Sequence, residues 1–92
     1  MKYKYDFSSE KDEILKETRG LGFRDIIEAI KKGSLLDDVK HFNRDKYPKQ
    51  RIYIVRLNNK IYAIPYVKDH EKKVIFLKTI YPNTKLKVKY IK

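Results

Sequence analysis

The side chains of this sequence that can do chemistry are histidine, lysine, arginine and tyrosine, and they gather around one polar stretch. Over residues 41–51 the chain carries His41, Arg44, Lys46, Tyr47, Lys49 and Arg51. Lys78 and Tyr81 end a later apolar segment. Cleavage of RNA without a metal needs a base at the 2′-hydroxyl, cations on the phosphate and an acid at the 5′-oxygen, and these residue types suffice for it.

Two cations are candidates for holding a phosphate. Arg51 opens an apolar segment, and its planar guanidinium suits phosphate; a surface ion pair with Asp45 or Glu71 is the alternative. Lys78 interrupts the run Val-Ile-Phe-Leu-Lys-Thr-Ile, so its ammonium group must reach solvent or an anion.

Two further side chains are candidates for moving protons. His41 can act as a general base or acid, because histidine exchanges protons near neutral pH; a partly exposed loop histidine is the simpler interpretation. Tyr81 can donate a proton or stack on a base, but packing at a sheet edge explains it equally well. His70 lies in a charged turn, and we expect it to be a bystander.

The charge is distributed unevenly along the chain. Up to Asp45 there are 10 Lys or Arg and 10 Asp or Glu, whereas from Lys46 onward there are 13 and 2. A basic, tyrosine-rich half favours nucleic acid, because cations neutralise phosphates and aromatic rings stack on unpaired bases. The predicted nucleic-acid-binding residues are Lys46, Lys49, Tyr53, Tyr62, Lys85, Lys87 and Lys89. The alternating lysines are also typical of an edge strand protected from aggregation.

The length and composition limit the other possibilities. Ninety-two residues predict one domain, 1–92. There is no cysteine, which excludes disulfides and thiol catalysis, and no Gly-rich phosphate loop or metal-ligand spacing is present. We therefore expect no cofactor and no metal, and we interpret Asp37 and Asp38 as a solvated turn. With no apolar signal segment and no run long enough to span a bilayer, the sequence predicts a cytoplasmic protein without a membrane partner.

Local patterns predict two helices near the start of the chain. Residues 3–7 alternate weakly, as in a short strand. Ser9 and Asp12 then have capping-box spacing for a helix over 10–19, which Gly20 ends. Apolar residues from Phe23 to Ile30 recur at helical spacing, and a glycine at position 33 follows the second helix.

The second half predicts strands. Residues 35–39 form a short strand or turn, and 51–57 a strong strand. Asn58-Asn59 suits a type I′ turn into a return strand over 60–67, in which Pro65 indicates an edge or a bulge. Residues 74–80 form a third strand, and 84–92 a fourth strand or a terminal helix.

These elements predict an α+β fold, in which two N-terminal helices pack on an antiparallel meander. Alternation along the strands then suggests a core face of Ile52, Ile54, Ile61, Ala63, Ile75 and Leu77. The opposite, aromatic and basic face would carry Arg51, Tyr53, Tyr62, Phe76 and Lys78. The competing interpretation is that both faces are covered and the tyrosines are ordinary cross-strand packing.

The order of these elements resembles that of BrnT-type toxins. The resemblance rests on Tyr5-Asp6, the acidic first helix and the junction Arg19-Gly20-Leu21-Gly22-Phe23. A polar loop, an Arg-opened strand, a hairpin and a basic tail continue it over most of the chain. It implies a RelE/ParE-like fold, a toxin–antitoxin pair and RNA cleavage without metal, with Arg51 matching the arginine that opens the family's central strand.

The sequence departs from that family at two places. Lys49 and Gln50 stand where the family often has an acid, and Thr79-Ile80-Tyr81 replaces a Ser-x-Arg-like element. Tyr81, Lys78 or Lys85 would have to compensate. RelE/ParE-like proteins also include gyrase poisons, so the fold alone does not fix the chemistry.

The leading hypothesis is a basic toxin that cleaves single-stranded mRNA, on or off the ribosome, and is covered by a cognate antitoxin. In it Arg51 and Lys78 hold the scissile phosphate, and His41 or Tyr81 handles protons. A non-catalytic RNA- or DNA-binding module and a docking domain for an acidic protein are the alternatives. The sequence leaves the oligomeric state open.

Overall fold

A six-stranded mixed sheet with two helices forms the described part of this computed structural model, residues 3–83. In chain order the elements are β1 (Lys4–Phe7), α1 (Ser9–Arg19), α2 (Phe23–Lys31), β2 (Leu35–Lys40), β3 (Arg51–Leu57), β4 (Lys60–Asp69), β5 (Val74–Leu77) and β6 (Tyr81–Pro82). The α+β class predicted from the sequence is confirmed. The predicted strand or helix over 84–92 lies outside the described residues.

The sheet is not a simple antiparallel meander. Five of its strands lie in the order β1-β5-β4-β3-β2, and β6 pairs with β4. β1 pairs with β5 in parallel, whereas the other pairs are antiparallel. The two helices and three further strands separate β1 from β5 in sequence, which gives the long connection that parallel strands need. Residues 35–39, predicted as a strand or a turn, lie in the edge strand β2, which extends to Lys40.

The hairpin between β3 and β4 has the predicted turn. Asn58 and Asn59 both adopt positive φ, 51° and 66°, as a type I′ turn requires. This turn sets the register that places Arg51 opposite Tyr66 at the far end of the hairpin.

Pro65 explains why the third predicted strand is interrupted. Its carbonyl accepts a hydrogen bond from the Lys78 N–H at 2.8 Å, so this side of β4 faces the break between β5 and β6. Proline has no N–H to offer there, and regular pairing stops for residues 78–80. Pro65 therefore lies in an inner strand, opposite an irregularity in its neighbour, and not at a sheet edge.

The junction between the helices is held by a buried carboxylate. Ser8, and not Ser9, caps α1 by accepting a hydrogen bond from the Lys11 N–H at 3.2 Å. Asp12 takes no part in a capping box; its Oδ1 accepts the Phe23 N–H at 2.7 Å, at the start of α2. Gly22 packs against this carboxylate, and a Cβ at that position would lie 2.5 Å from Asp12 Oδ1. The distinctive glycine junction thus has a structural explanation.

Both faces of the sheet are buried. The predicted grouping is confirmed for Ile52, Ile54, Ile61 and Ala63, but it is wrong for Ile75 and Leu77, which lie on the other face beneath the helices. The helix-side cluster contains Tyr53, Val55, Tyr62, Ile64, Tyr66, Ile75 and Leu77, together with Leu15, Phe23 and Ile26 of the helices. Ile52, Ile54, Ile61 and Ala63 form a second cluster on the opposite face, with Val39 and Tyr81 against it. The tyrosines are therefore cross-strand packing, as the competing interpretation held, because they complete the layer beneath the helices.

Candidate functional site

A carboxylate, a guanidinium and a phenol meet at the end of β3 that lies away from the Asn58–Asn59 turn. Arg51 Nε lies 3.1 Å from Asp38 Oδ1, and its Nη2 donates to the Asp38 carbonyl at 2.9 Å. The Tyr66 hydroxyl lies 2.7 Å and 2.8 Å from the two carboxylate oxygens of Asp38. Three adjacent strands, β2, β3 and β4, each supply one member of this group.

The register of the strands explains why these three side chains meet. Arg51 is opposite Tyr66 on β4 and Lys40 on β2, and Asp38 is opposite Tyr53. Residues opposite each other in antiparallel strands share a face, so all of them project on the helix side of the sheet. The Arg51 and Asp38 side chains stay 44% and 40% exposed, so an anion can still reach the guanidinium.

The tyrosine of this group packs against a second tyrosine. The rings of Tyr53 and Tyr66 stack at 4.0 Å. Burial raises the pKa of Tyr53 to about 12, although a hydrogen bond with Tyr66 opposes the rise. Burial, and then the hydrogen bond to Asp38, raises the pKa of Tyr66 far above its ordinary value. Tyr66 is therefore a protonated donor at any physiological pH.

Bonding to Asp38 also fixes the charge of Arg51. The hydrogen bond to that carboxylate, together with its negative charge, raises the pKa of the guanidinium above its ordinary value. Arg51 is thus a permanent cation whose planar fork is held by the side chain and the carbonyl of one residue.

These residues line a pocket of about 350 Å³. Its walls are Asp38, Lys49, Arg51, Tyr66, Lys68 and His70. Three of these six carry a positive charge and one a negative charge, so the pocket attracts anions. It also contains a carboxylate and an imidazole, the two kinds of group that move protons most often in general acid–base catalysis. We call it the reaction pocket.

His70 is held in this pocket by Tyr3, the residue that precedes β1. The Tyr3 hydroxyl lies 2.8 Å from His70 Nδ1, which leaves Nε2 as the nitrogen available for proton transfer. The Tyr3 ring lies under two ammonium groups, with Lys68 Nζ 4.6 Å and Lys73 Nζ 5.5 Å from its centroid. Tyr3 therefore positions an imidazole and a cation of the pocket together.

A second pocket of about 440 Å³ adjoins the first. It is lined by Lys40, Arg44, Pro48, Lys49, Gln50 and Arg51. Lys49 and Arg51 line both pockets, so the two lie side by side at the end of β3.

The structure brings only part of the predicted catalytic set together. Arg51 lies at the centre of the reaction pocket, paired with Asp38 and not with Asp45 or Glu71. Lys78 lies elsewhere: its Nζ sits 5.1 Å from the Phe76 ring centroid. Phe76 faces away from the helices, because its strand neighbours Ile75 and Leu77 pack beneath them. The expected clamp of one phosphate between Arg51 and Lys78 is therefore not formed.

The two predicted proton carriers also lie apart from the reaction pocket. His41 Nδ1 accepts the Asn43 N–H at 3.0 Å, and its ring packs on Tyr47 at 4.5 Å; it organises the loop. Tyr81 packs against the second cluster, and burial raises the pKa of its hydroxyl. Neither His41 nor Tyr81 is among the described residues that line the two pockets.

The predicted nucleic-acid-binding residues divide in the same way. Lys49 lines both pockets, and the exposed Lys46 places its Nζ 5.4 Å from the Tyr47 ring centroid. Tyr53 and Tyr62 are only 7% and 8% exposed, so the prediction that their rings are open to bases is wrong. Lys85, Lys87 and Lys89 lie outside the described residues.

Sequence reasoning missed four residues of the reaction pocket. Asp38 was assigned to a turn and His70 to a bystander role, and Tyr66 and Lys68 were not singled out. No local motif marks them: Asp38 is 28 residues from Tyr66 in sequence, and only the register of β2, β3 and β4 brings the two together. The one usable signal was the alternation of Tyr66 and Lys68 on one face of a strand opposite Arg51.

Within 3–83 no group of three or more His, Cys, Asp or Glu side chains could hold a metal ion. No helix in the same part of the chain is long and apolar enough to cross a membrane.

Taken together, the reaction pocket can bind an anion on fixed cations and offer it a proton acceptor and a proton donor. Comparisons with protein-family models, with curated proteins and with solved structures gave no match to this chain.

Proposed function

We propose that this protein is a metal-independent endoribonuclease that cleaves single-stranded RNA in the reaction pocket. The observation that carries the proposal is the convergence of Lys49, Arg51 and Lys68 with Asp38 and His70 around one cavity. Phosphodiester cleavage by the neighbouring 2′-hydroxyl needs positive charge on the phosphate and two groups that exchange protons.

The geometry supports one assignment of roles within this proposal. Arg51 and the two lysines hold the scissile phosphate and stabilise the charge that develops on it. The Asp38 carboxylate accepts the 2′-hydroxyl proton as that oxygen bonds to phosphorus. His70, protonated, gives a proton to the departing 5′-oxygen as the P–O bond breaks. The products are a 2′,3′-cyclic phosphate and a free 5′-hydroxyl.

Its biological setting is a second part of the same proposal. We infer a cytoplasmic toxin of a type II toxin–antitoxin pair with a RelE/ParE-like fold, as the BrnT resemblance implies. The helix pair before an antiparallel core of β2 to β5 supports that inference. A cognate antitoxin would neutralise the toxin by placing acidic side chains against Lys49, Arg51 and Lys68.

A non-catalytic RNA-binding module is the second candidate, and one observation favours it. Asp38 already accepts hydrogen bonds from Tyr66 and Arg51, so its carboxylate oxygens are occupied within the protein and less free to take the 2′-hydroxyl proton. In that case the pocket would bind phosphates and leave the RNA intact.

The deciding experiment is cleavage of end-labelled single-stranded RNA in excess EDTA, both naked and in a translating extract. We expect cleavage with cyclic-phosphate ends, lowered at least about a hundredfold in Arg51→Ala and His70→Ala. Lys11→Ala, at an exposed position of α1, is the matched control and should cleave RNA at the wild-type rate. Intact RNA in both settings would refute the ribonuclease, and a salt-sensitive shift in the same lanes would then select the binding module.

A further inference from the structure

The second pocket differs in chemistry from the reaction pocket that it adjoins. Its described lining includes four cations, Lys40, Arg44, Lys49 and Arg51, besides Pro48 and Gln50. None of those six residues has a carboxylate, an imidazole or a phenol. The pocket can therefore bind negative charge, but it holds no described group that exchanges a proton near neutral pH.

The loop that builds this pocket is held in place by its own hydrogen bonds. The His41 N–H donates to the Gln50 carbonyl at 3.2 Å, and the Tyr47 N–H donates to the Asn43 carbonyl at 3.0 Å. The Lys46 N–H donates to Asn43 Oδ1 at 3.2 Å. Arg44 and Lys49 thus project from an ordered loop, which lowers the entropy that binding must overcome.

Two pockets that share Lys49 and Arg51 are suited to one continuous ligand more than to two separate ones. An anion in either pocket draws on the same two cations, so independent ligands would compete for them. Successive phosphates of one strand are covalently linked and can use both pockets at once.

We propose that the second pocket binds the phosphate next to the scissile one in a single-stranded RNA, with Lys40 and Arg44 as its own contacts. The inference rests on the proposed function for the identity of the ligand. In this arrangement the reaction pocket binds and cleaves the RNA, whereas the second pocket only binds it. It also gives His41 a structural role, because its ring and backbone hold the loop that carries Arg44.

The test compares ligands with one phosphate and with two. A dinucleoside monophosphate with a 2′-O-methyl group at the attacking position resists cleavage and carries one phosphate. The same molecule with an added 5′- or 3′-terminal phosphate carries two. Dissociation constants from NMR titration at low salt suit weak ligands of this size.

We expect one of the two added phosphates to tighten binding to the wild type by about three- to tenfold, as an exposed contact with more than one cation should. Arg44→Gln should remove most of this gain and leave the affinity for the one-phosphate ligand unchanged. Lys31→Gln, an exposed lysine of α2, is the matched control and should retain the gain. An equal gain in Arg44→Gln and wild type, or no gain at either end, would overturn the proposal.

The cleavable 2′-hydroxyl forms of the same ligands separate this inference from the ribonuclease. Cleavage without any gain from the added phosphate refutes the second phosphate site alone. A gain that depends on Arg44, without cleavage of any RNA, refutes the ribonuclease and supports the two-phosphate site. Equally tight, Arg44-dependent binding of an oligoglutamate peptide would overturn the RNA assignment in favour of an acidic protein partner.

Discussion

The Tyr66 hydroxyl lies within 2.8 Å of both carboxylate oxygens of Asp38, across the intervening strand β3. This contact ties the edge strand β2 to the inner strand β4 through side chains alone. It also fixes the carboxylate against which Arg51 is oriented, so the stability of the sheet and the geometry of the reaction pocket depend on the same pair.

Tyr66→Phe should lower the free energy of unfolding by about 1–2 kcal/mol, because a hydrogen bond to a charged group is lost. The ring stack on Tyr53 is retained in this variant. Urea denaturation followed by circular dichroism measures the change. Tyr47→Phe, on the surface loop, is the control and should shift stability by less than about 0.5 kcal/mol; equal losses in both variants would contradict the assigned role.

Asp38→Asn should separate binding from cleavage. Removal of the only carboxylate among the described residues of the reaction pocket leaves Arg51 unopposed, so RNA affinity should rise about two- to fivefold at low salt. The cleavage rate should fall at least about a hundredfold, since the proton acceptor is gone. Fluorescence anisotropy and product analysis report the two quantities. Asp45→Asn removes the same charge from the loop and should leave cleavage unchanged; undiminished cleavage by Asp38→Asn would exclude Asp38 as the base.

Tyr3→Phe should lower the cleavage rate and leave RNA affinity unchanged. The ring remains beneath Lys68 and Lys73, but His70 Nδ1 loses its hydroxyl partner. We expect kcat to fall about tenfold, because the imidazole is no longer held in one orientation, while the dissociation constant of RNA stays the same. A kcat equal to that of the wild type would show that Tyr3 has only a packing role.

The buried tyrosines predict a loss of stability in alkali. The pKa of Tyr53 rises from an ordinary 10.0 to about 12 on folding, so the folded state keeps a proton that the unfolded chain has already lost. This contribution is complete below pH 10 and disappears as the pH rises toward 12, which removes up to about 2 kcal/mol. Urea midpoints between pH 8 and pH 12 measure the slope. Tyr53→Phe should flatten it, and the remaining slope should reflect Tyr66, whose pKa is raised in the same direction.

The contacts at the helix junction predict that removal of the buried Asp12 carboxylate lowers the free energy of unfolding. Asp12→Ala deprives the Phe23 N–H of its acceptor and Lys16 of an ion pair at 3.2 Å, and should lower stability by about 2 kcal/mol. Glu13→Ala, an exposed neighbour on α1, should change it little. Asp12→Asn keeps an acceptor and should recover part of the loss. Equal midpoints for Asp12→Ala and Glu13→Ala in urea would contradict this role.

Local sequence signals predicted most of the elements. Asn58 and Asn59 tolerate positive φ, Gly20 ends α1 at φ 74°, and apolar spacing marks α2. Each of these signals depends only on residues close in sequence, so it can be recognised without knowledge of the rest of the fold. The capping-box prediction was wrong because it considered only neighbouring residues. The Asp12 carboxylate instead accepts a hydrogen bond from the Phe23 N–H, eleven residues later.

By itself the sequence determined the α+β class, the hairpin turn and the concentration of positive charge in the second half, because composition and short-range backbone preference fix them. Only the tertiary structure decided which face each strand presents. A shift of one residue in alternation exchanges the two faces of a strand, and with both faces apolar the pattern could not choose between them. Sheet register brought Asp38, Arg51 and Tyr66 to one pocket. The turn after β4 added His70, and Lys78 lies on the opposite side of the sheet.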